Sequence, residues 1–161
     1  MPERKTLEKA KQALRQGKSP KTAAGEFVRE EIEHVREGKH GARSPEQAIA
    51  IGLAKARRAG IPLPPPGPGQ TSESTRRAAR RDYETGQLER KPRKSSKKRG
   101  KAAVRALKRE GKTAVSKRAL SAHAKRSAAK RAAAKPKRAA AKAQRKPTAS
   151  KRKAAKKSRR G

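Results

Sequence analysis

The chain has no cysteine, no tryptophan, one phenylalanine and one tyrosine in 161 residues. Without cysteine there is no disulfide and no thiolate metal centre. The absence also suits a reducing compartment. The aromatics end at Tyr83, so the basic segments beyond it lack the rings on which splayed bases stack. Large apolar side chains are scarce too. Val, Ile, Leu, Met and Phe number 17, and 12 of them lie between Met1 and Leu63. No window approaches 18 apolar residues, which excludes a membrane-spanning helix. Met-Pro-Glu-Arg-Lys at the start has no apolar stretch behind it, so no signal peptide is expected. Acidic residues are the last absence: none follows Glu110.

Positive charge is present throughout. The chain holds 49 Lys and Arg against 13 Asp and Glu, a formal net charge of +36. Residues 1–60 are net +6, residues 61–110 net +10, and residues 111–161 carry 20 basic groups with no acid. Low hydrophobicity with this charge is the composition of a chain that cannot offset its ordering entropy by burial. The expected architecture is mostly α, with a small two- or three-helix head over 1–61 and a Pro-rich linker over 62–70. A basic region with short helices over 71–110 and a Lys/Arg/Ala-rich tail over 111–161 follow, the tail largely disordered and partly helical.

Three helices are legible in the head, at about 7–16, 20–37 and 45–59. The first has Thr6 as a candidate cap and Gly17 as a stop. The second opens on Ser19-Pro20, an N-cap followed by proline at the first helical position, where its missing N–H is harmless. Ala24, Phe27, Val28, Ile32 and Val35 then recur at helical spacing, and Gly38 ends the run. Gly25 inside this helix suggests close approach of a neighbouring element. The third helix repeats the start as Ser44-Pro45-Glu46-Gln47, with Gln47 placed for a capping box. It ends at Gly60, with Ile61 as the hydrophobic contact of a glycine cap. The apolar surface Phe27, Val28, Ile32, Val35, Ile49 and Leu53 is a candidate self-association interface, because a head with so few large apolar residues is marginal alone.

Pro62-Leu63-Pro64-Pro65-Pro66-Gly67-Pro68-Gly69 reads as a stiff polyproline spacer that holds the tail away from the head. Beyond it, Ser74–Tyr83 suggests a short basic helix with Arg76, Arg77, Arg80 and Arg81. Lys91–Lys101 reads as disordered. Ala102–Arg109 and Ala114–Ala134 have high helix propensity, and Pro136 and Pro147 are expected to interrupt any longer helix.

The second helix carries Glu26, Glu30, Glu33 and Glu37 at helical spacing, with Glu31 beside them. This acidic stripe reads as a solvated face, or as a docking site for the basic tail. Glu30, His34 and His40 have no standard ligand spacing, so no metal and no cofactor are expected. His123 stands alone. No nucleophile, base and orienting group come together and no glycine-rich phosphate loop is present, so no enzyme and no small-molecule substrate are expected.

The basic run carries the functional signal. Lys97, Lys98, Arg99, Lys101, Arg105, Lys108 and Arg109 precede the tail. Within the tail, Lys117, Arg118, Lys125, Arg126, Lys130, Arg131, Lys137, Arg138, Lys142, Arg145, Lys146, Lys151, Arg152 and Lys153 are the candidate phosphate contacts. As a helix, the last 51 residues would carry one positive charge per roughly 4 Å. Duplex DNA carries one negative charge per about 1.7 Å, so the densities are comparable. Like charges four residues apart disfavour the free helix, so the tail is expected to gain helix when phosphates neutralise it. No zinc-finger spacing, leucine-zipper heptad or RNA-recognition signature is present. A helix-turn-helix drawn through the second and third helices conflicts with the acidity of the second.

Lys18-Ser19-Pro20-Lys21-Thr22-Ala23-Ala24-Gly25-Glu26-Phe27-Val28-Arg29-Glu30-Glu31-Ile32, continued through Gly38-Lys39-His40-Gly41-Ala42-Arg43-Ser44 and Ile49–Gly60, resembles a family of small bacterial proteins with this helical head and a basic Ala-rich tail. That resemblance implies no established activity. Ala128–Lys157, with its Ala-Ala-Lys-Pro-Lys-Arg runs, is similar to bacterial histone H1-like proteins and linker-histone tails. This second likeness implies nucleoid binding without sequence preference. The expected function is therefore non-specific DNA binding and compaction in the cytoplasmic nucleoid. Two alternatives remain open: binding to RNA or ribosomes, and an adaptor whose head binds a protein while the tail holds nucleic acid.

Overall fold

In a computed structural model of the chain, residues 3–88 and 96–144 are described, with backbone only from 134 onward. Six α-helices and no strand occur among the described residues: α1 (Arg4–Arg15), α2 (Pro20–Glu37), α3 (Pro45–Arg58), α4 (Glu73–Gly86), α5 (Lys97–Arg109) and α6 (Lys117–Gln144). A 3-10 turn, Thr113–Val115, precedes α6. The chain divides into two units, Met1–Leu120 and Ser121–Gly161.

Local signals explain the head helices. Ser19 Oγ accepts the Thr22 N–H at 3.2 Å, and Ser44 Oγ accepts the Gln47 N–H at 3.2 Å, each with proline at the first turn. Gln47 Oε1 reaches back to the Arg43 N–H at 2.8 Å, one residue before the cap. At the other end of α3, Gly60 takes φ +86° and the Ile61 N–H bonds the Ala56 carbonyl at 3.1 Å. Ile61 is buried against the core, so the glycine cap and its hydrophobic contact form as expected. The first helix begins earlier than its apolar residues suggested, at Arg4, and Thr6 lies inside it.

Helix α2 is the centre of the unit and packs against both α1 and α3. Phe27 is fully buried among Ala10, Ala13, Ala23, Ala24, Ala56, Ile61 and Leu63. A second cluster joins Val35, Ala42, Ala48, Ala114 and Val115, with Ile32 against it. The surface assigned to self-association is thus spent inside the chain. Phe27 and Val35 are completely buried, Leu53 and Ile32 pack on the two clusters, and Val28 and Ile49 are part-buried.

The close helix approach is not at Gly25, where an added Cβ would meet nothing within 4 Å. It is at Gly52 of α3, where a Cβ would fall 2.7 Å from Val28 Cα. Gly25→Ala should therefore stabilise the unit by roughly 0.5–1 kcal/mol through helix propensity. Gly52→Ala should destabilise it by about 1–3 kcal/mol through overpacking against backbone. Thermal denaturation of the two variants should move in opposite directions.

Leu63 and the residues around it do not form a free spacer. Ile61 and Leu63 are buried, and the buried Arg57 side chain donates through its guanidinium to the Leu63 and Pro64 carbonyls at 3.2 and 3.4 Å. Burial holds the Arg57 pKa below its ordinary value, and Asp82 opposes that shift. Helix α4 then packs on α3, with Arg58 bonding the Asp82 carboxylate at 2.8 and 3.3 Å. The packed unit accordingly extends well beyond residue 61.

Two expectations about the basic half also change. Residues 97–101 open α5 rather than lying in an irregular run, because Lys and Arg are good helix formers and no proline follows Pro92 there. Pro136 does not end α6, which continues to Gln144. The Ala/Lys/Arg composition on both sides of Pro136 favours helix despite the one donor it removes. The partly helical tail expected from its composition is seen between Lys117 and Gln144.

Candidate nucleic-acid interface

Among the described residues between 71 and 110, the basic groups fall on α4 and α5, whose surroundings differ. In α4, acids sit one turn from the arginines. Arg76 pairs with Glu73 at 2.8 Å, Arg77 with Glu73 at 4.0 Å, and Arg80 with Glu84 at 2.8 Å. The Arg76 hydrogen bond holds the Glu73 carboxyl below its ordinary pKa. These pairs spend much of the positive field of α4 locally.

Helix α5 has seven basic residues in 13 and no acid. At about 100° per residue, Lys97, Lys98, Lys101, Arg105, Lys108 and Arg109 share an arc of about 120°, with Arg99 outside it. All seven are exposed. Leu107 lies away from this arc and Val104 borders it beside Lys97, so α5 presents a coherent cationic face.

What fixes the end of α5 is the loop that follows it. The Gly41 N–H bonds the Leu107 carbonyl at 2.9 Å and the Ala42 N–H bonds the Gly111 carbonyl at 3.1 Å. A Cβ at Gly41 would overlap the Glu110 carbonyl, so only glycine admits this approach. Arg43 bonds the Glu110 carboxylate at 3.2 Å. Arg36 donates twice to the Val115 carbonyl at 3.3 Å, and Val115 is completely buried. Ser116 then caps α6, its Oγ accepting the Ala119 N–H at 3.2 Å. The last acidic residue of the chain and the one buried valine of the basic half thus attach the start of the tail to the α2–α3 hairpin.

Along α6, Lys117, Arg118, Lys125, Arg126, Lys130 and Arg131 are exposed. Their helical angles run round the whole circumference, so they form a cationic rod with no single reading face. Lys137, Arg138 and Lys142 lie on helical backbone whose side chains are outside the described residues, as are Arg145, Lys146, Lys151, Arg152 and Lys153 altogether.

The acidic stripe of α2 is only partly open. Glu30 and Glu31 are 4% and 0% exposed, because α2 is covered by a helix on each side. Lys55 Nζ lies 2.6 Å from Glu31 Oε2 and 3.6 Å from Glu30 Oε1. Glu26 pairs with Arg29 and Glu37 with Lys39. The carboxyl of Glu3 is held below its ordinary pKa by the hydrogen bond with His34 and by the Lys39 charge. The burial of Glu30 and Glu31 thus closes part of the stripe, while Glu33 and Glu37 stay exposed. Sequence reading missed this because the burial comes from α1 and α3, which no local spacing in α2 reports.

Among the described residues, no helix is long and apolar enough to cross a membrane. No family model, curated protein or solved structure matches the chain.

Proposed function

We propose that the protein binds nucleic acid without sequence preference by neutralising phosphates, and that duplex DNA of the bacterial nucleoid is its principal partner. The observation that carries this reading is the acid-free run from Gly111 to Gly161 with its 20 basic groups. Exposed cations on α5 and all round α6 support it. Phosphate contacts position a protein but specify nothing, and α5 has no Asn, Gln or aromatic residue while α6 has no Asn, Phe, Tyr or Trp and a single Gln at its last position. Neutralised, a long duplex repels itself less, and the same contacts would compact it.

The test is competition. Two unrelated duplexes of equal length should bind within about threefold of each other, since non-specific affinity is electrostatic. A structured RNA of equal phosphate count should compete less well than the duplexes. An RNA that displaces DNA tenfold more effectively would transfer the role to RNA, and a strong preference for one duplex would contradict the mechanism.

A further inference from the structure

Three chemistry-bearing side chains meet where α2 ends. Glu31 and His34 stand three residues apart on one face of α2, and His40 returns to them from the loop after Gly38. One ligand atom of each lies within 4.8 Å of the others. The two imidazoles meet edge to face, with centroids 6.3 Å apart.

The hydrogen-bond inventory of His40 is informative. Its Nδ1 faces the Gly41 carbonyl at 3.1 Å. Its Nε2 faces Glu31 Oε1, also at 3.1 Å. Both neighbours are acceptors, and a neutral imidazole has one N–H to give. The ring satisfies both as an imidazolium, or with a proton or another cation held between Nε2 and the carboxylate. A histidine that donates one N–H to a backbone carbonyl while its other nitrogen holds a metal is the usual arrangement of metal-bound histidine. Glu31 adds a second observation. Its side chain is 1% exposed, yet neither oxygen receives an aligned hydrogen bond from the protein, although Lys55 Nζ is 2.6 Å from Oε2. Its Oε1 is directed at the histidines.

We propose that Glu31, His34 and His40 form a binding site for a divalent transition-metal ion of the zinc class. Two imidazoles and a carboxylate are the donor set of three-ligand zinc sites, which leave a fourth position for water or another group. Ligand atoms on a tetrahedral zinc are about 3.3 Å apart, close to the 3.1 Å between His40 Nε2 and Glu31 Oε1. The remaining donor has to close by at most about 1.5 Å, which a side-chain rotation supplies. Glu3 Oε1, 3.1 Å from His34 Nε2, is in reach as the fourth ligand and would tie the start of α1 to the end of α2. Lys55 stays on Oε2 and offsets the charge of Glu31 and Glu30. The site binds α1, α2 and the loop that receives the start of the tail, and it requires nothing of the nucleic-acid reading.

The full-length protein, freed of nucleic acid, is titrated with Zn²⁺ by calorimetry and with Co²⁺ by visible absorption. One ion per chain is expected, with the intense ligand-field bands of a low-coordinate cobalt site. His34→Gln and His40→Gln should each weaken binding at least about tenfold, while His123→Gln leaves it unchanged. Absence of stoichiometric binding, wild-type affinity in both His34→Gln and His40→Gln, or loss in His123→Gln would each overturn the site and leave an imidazolium–carboxylate cluster in its place. Should a variant lose its helical signal, zinc added to the unaltered protein should shift the ring-nitrogen resonances of His34 and His40 but not those of His123. No shift there would equally overturn the proposal.

Discussion

Truncation after Leu120 should lower duplex-DNA affinity on the order of 10⁴-fold at physiological salt and leave the fold of the remainder intact. The cut falls at the boundary between the two units. It removes 17 of the 49 basic groups and no acidic one. Releasing a condensed counterion at about 0.15 M salt favours binding by about fivefold per phosphate neutralised. Six lost contacts thus give the stated loss, and 17 cations are more than enough to make six. Residual binding should persist, because the α5 face and Arg118 remain. Fluorescence anisotropy with one labelled duplex measures the change, and circular dichroism checks that α1 to α5 keep their melting transition. Affinity within tenfold of the full chain would place the binding energy in unit one instead.

Phe27→Ala should do the reverse, removing the fold and sparing affinity. Phe27 is the only phenylalanine, and its fully buried ring fills a pocket lined mainly by alanine. Alanines on helices clamped at Gly52 leave little room to collapse onto the vacated volume. Phe→Ala in a core costs about 3–5 kcal/mol, a large share of the 5–15 kcal/mol that holds a typical domain. In a unit of this size the melting midpoint should fall on the order of 15 °C. Duplex affinity measured above that lowered midpoint should stay within about tenfold of the wild type, since none of the cations is touched. A variant with the wild-type midpoint would contradict the packing described for α1, α2 and α3. A folded variant that no longer binds DNA would place recognition in the head.

How much of this was legible in the sequence follows from the range of each interaction. Ser19-Pro20 and Ser44-Pro45 start their helices by contacts three residues long, and Gly60-Ile61 ends one by contacts five long, so local pattern sufficed. The cationic run was legible because it depends on composition alone. Leu63 and Val115 were not. Each is one apolar residue in a proline-rich or basic stretch, and its place in the core depends on partners as distant as Phe27 and Val35. Glu31 was misread for a related reason. Five glutamates on one helix suggest a solvated face, and it is Lys55, brought by α3, and His40, from the loop after α2, that meet the buried carboxylate there. Gly52 mattered more than Gly25 because closeness is a property of two helices rather than of one.

The central claim is that phosphate neutralisation by the basic run supplies the affinity. The measurement that tests it most directly is the slope of log affinity against log salt between about 50 and 200 mM, taken on two unrelated duplexes with the full-length protein. Each neutralised phosphate contributes about 0.9 to that slope. The account predicts a slope of about −6 or steeper, equal for both duplexes, with affinity falling at least about 10³-fold across the range. A slope shallower than about −2, or slopes that differ between the two sequences, would contradict it.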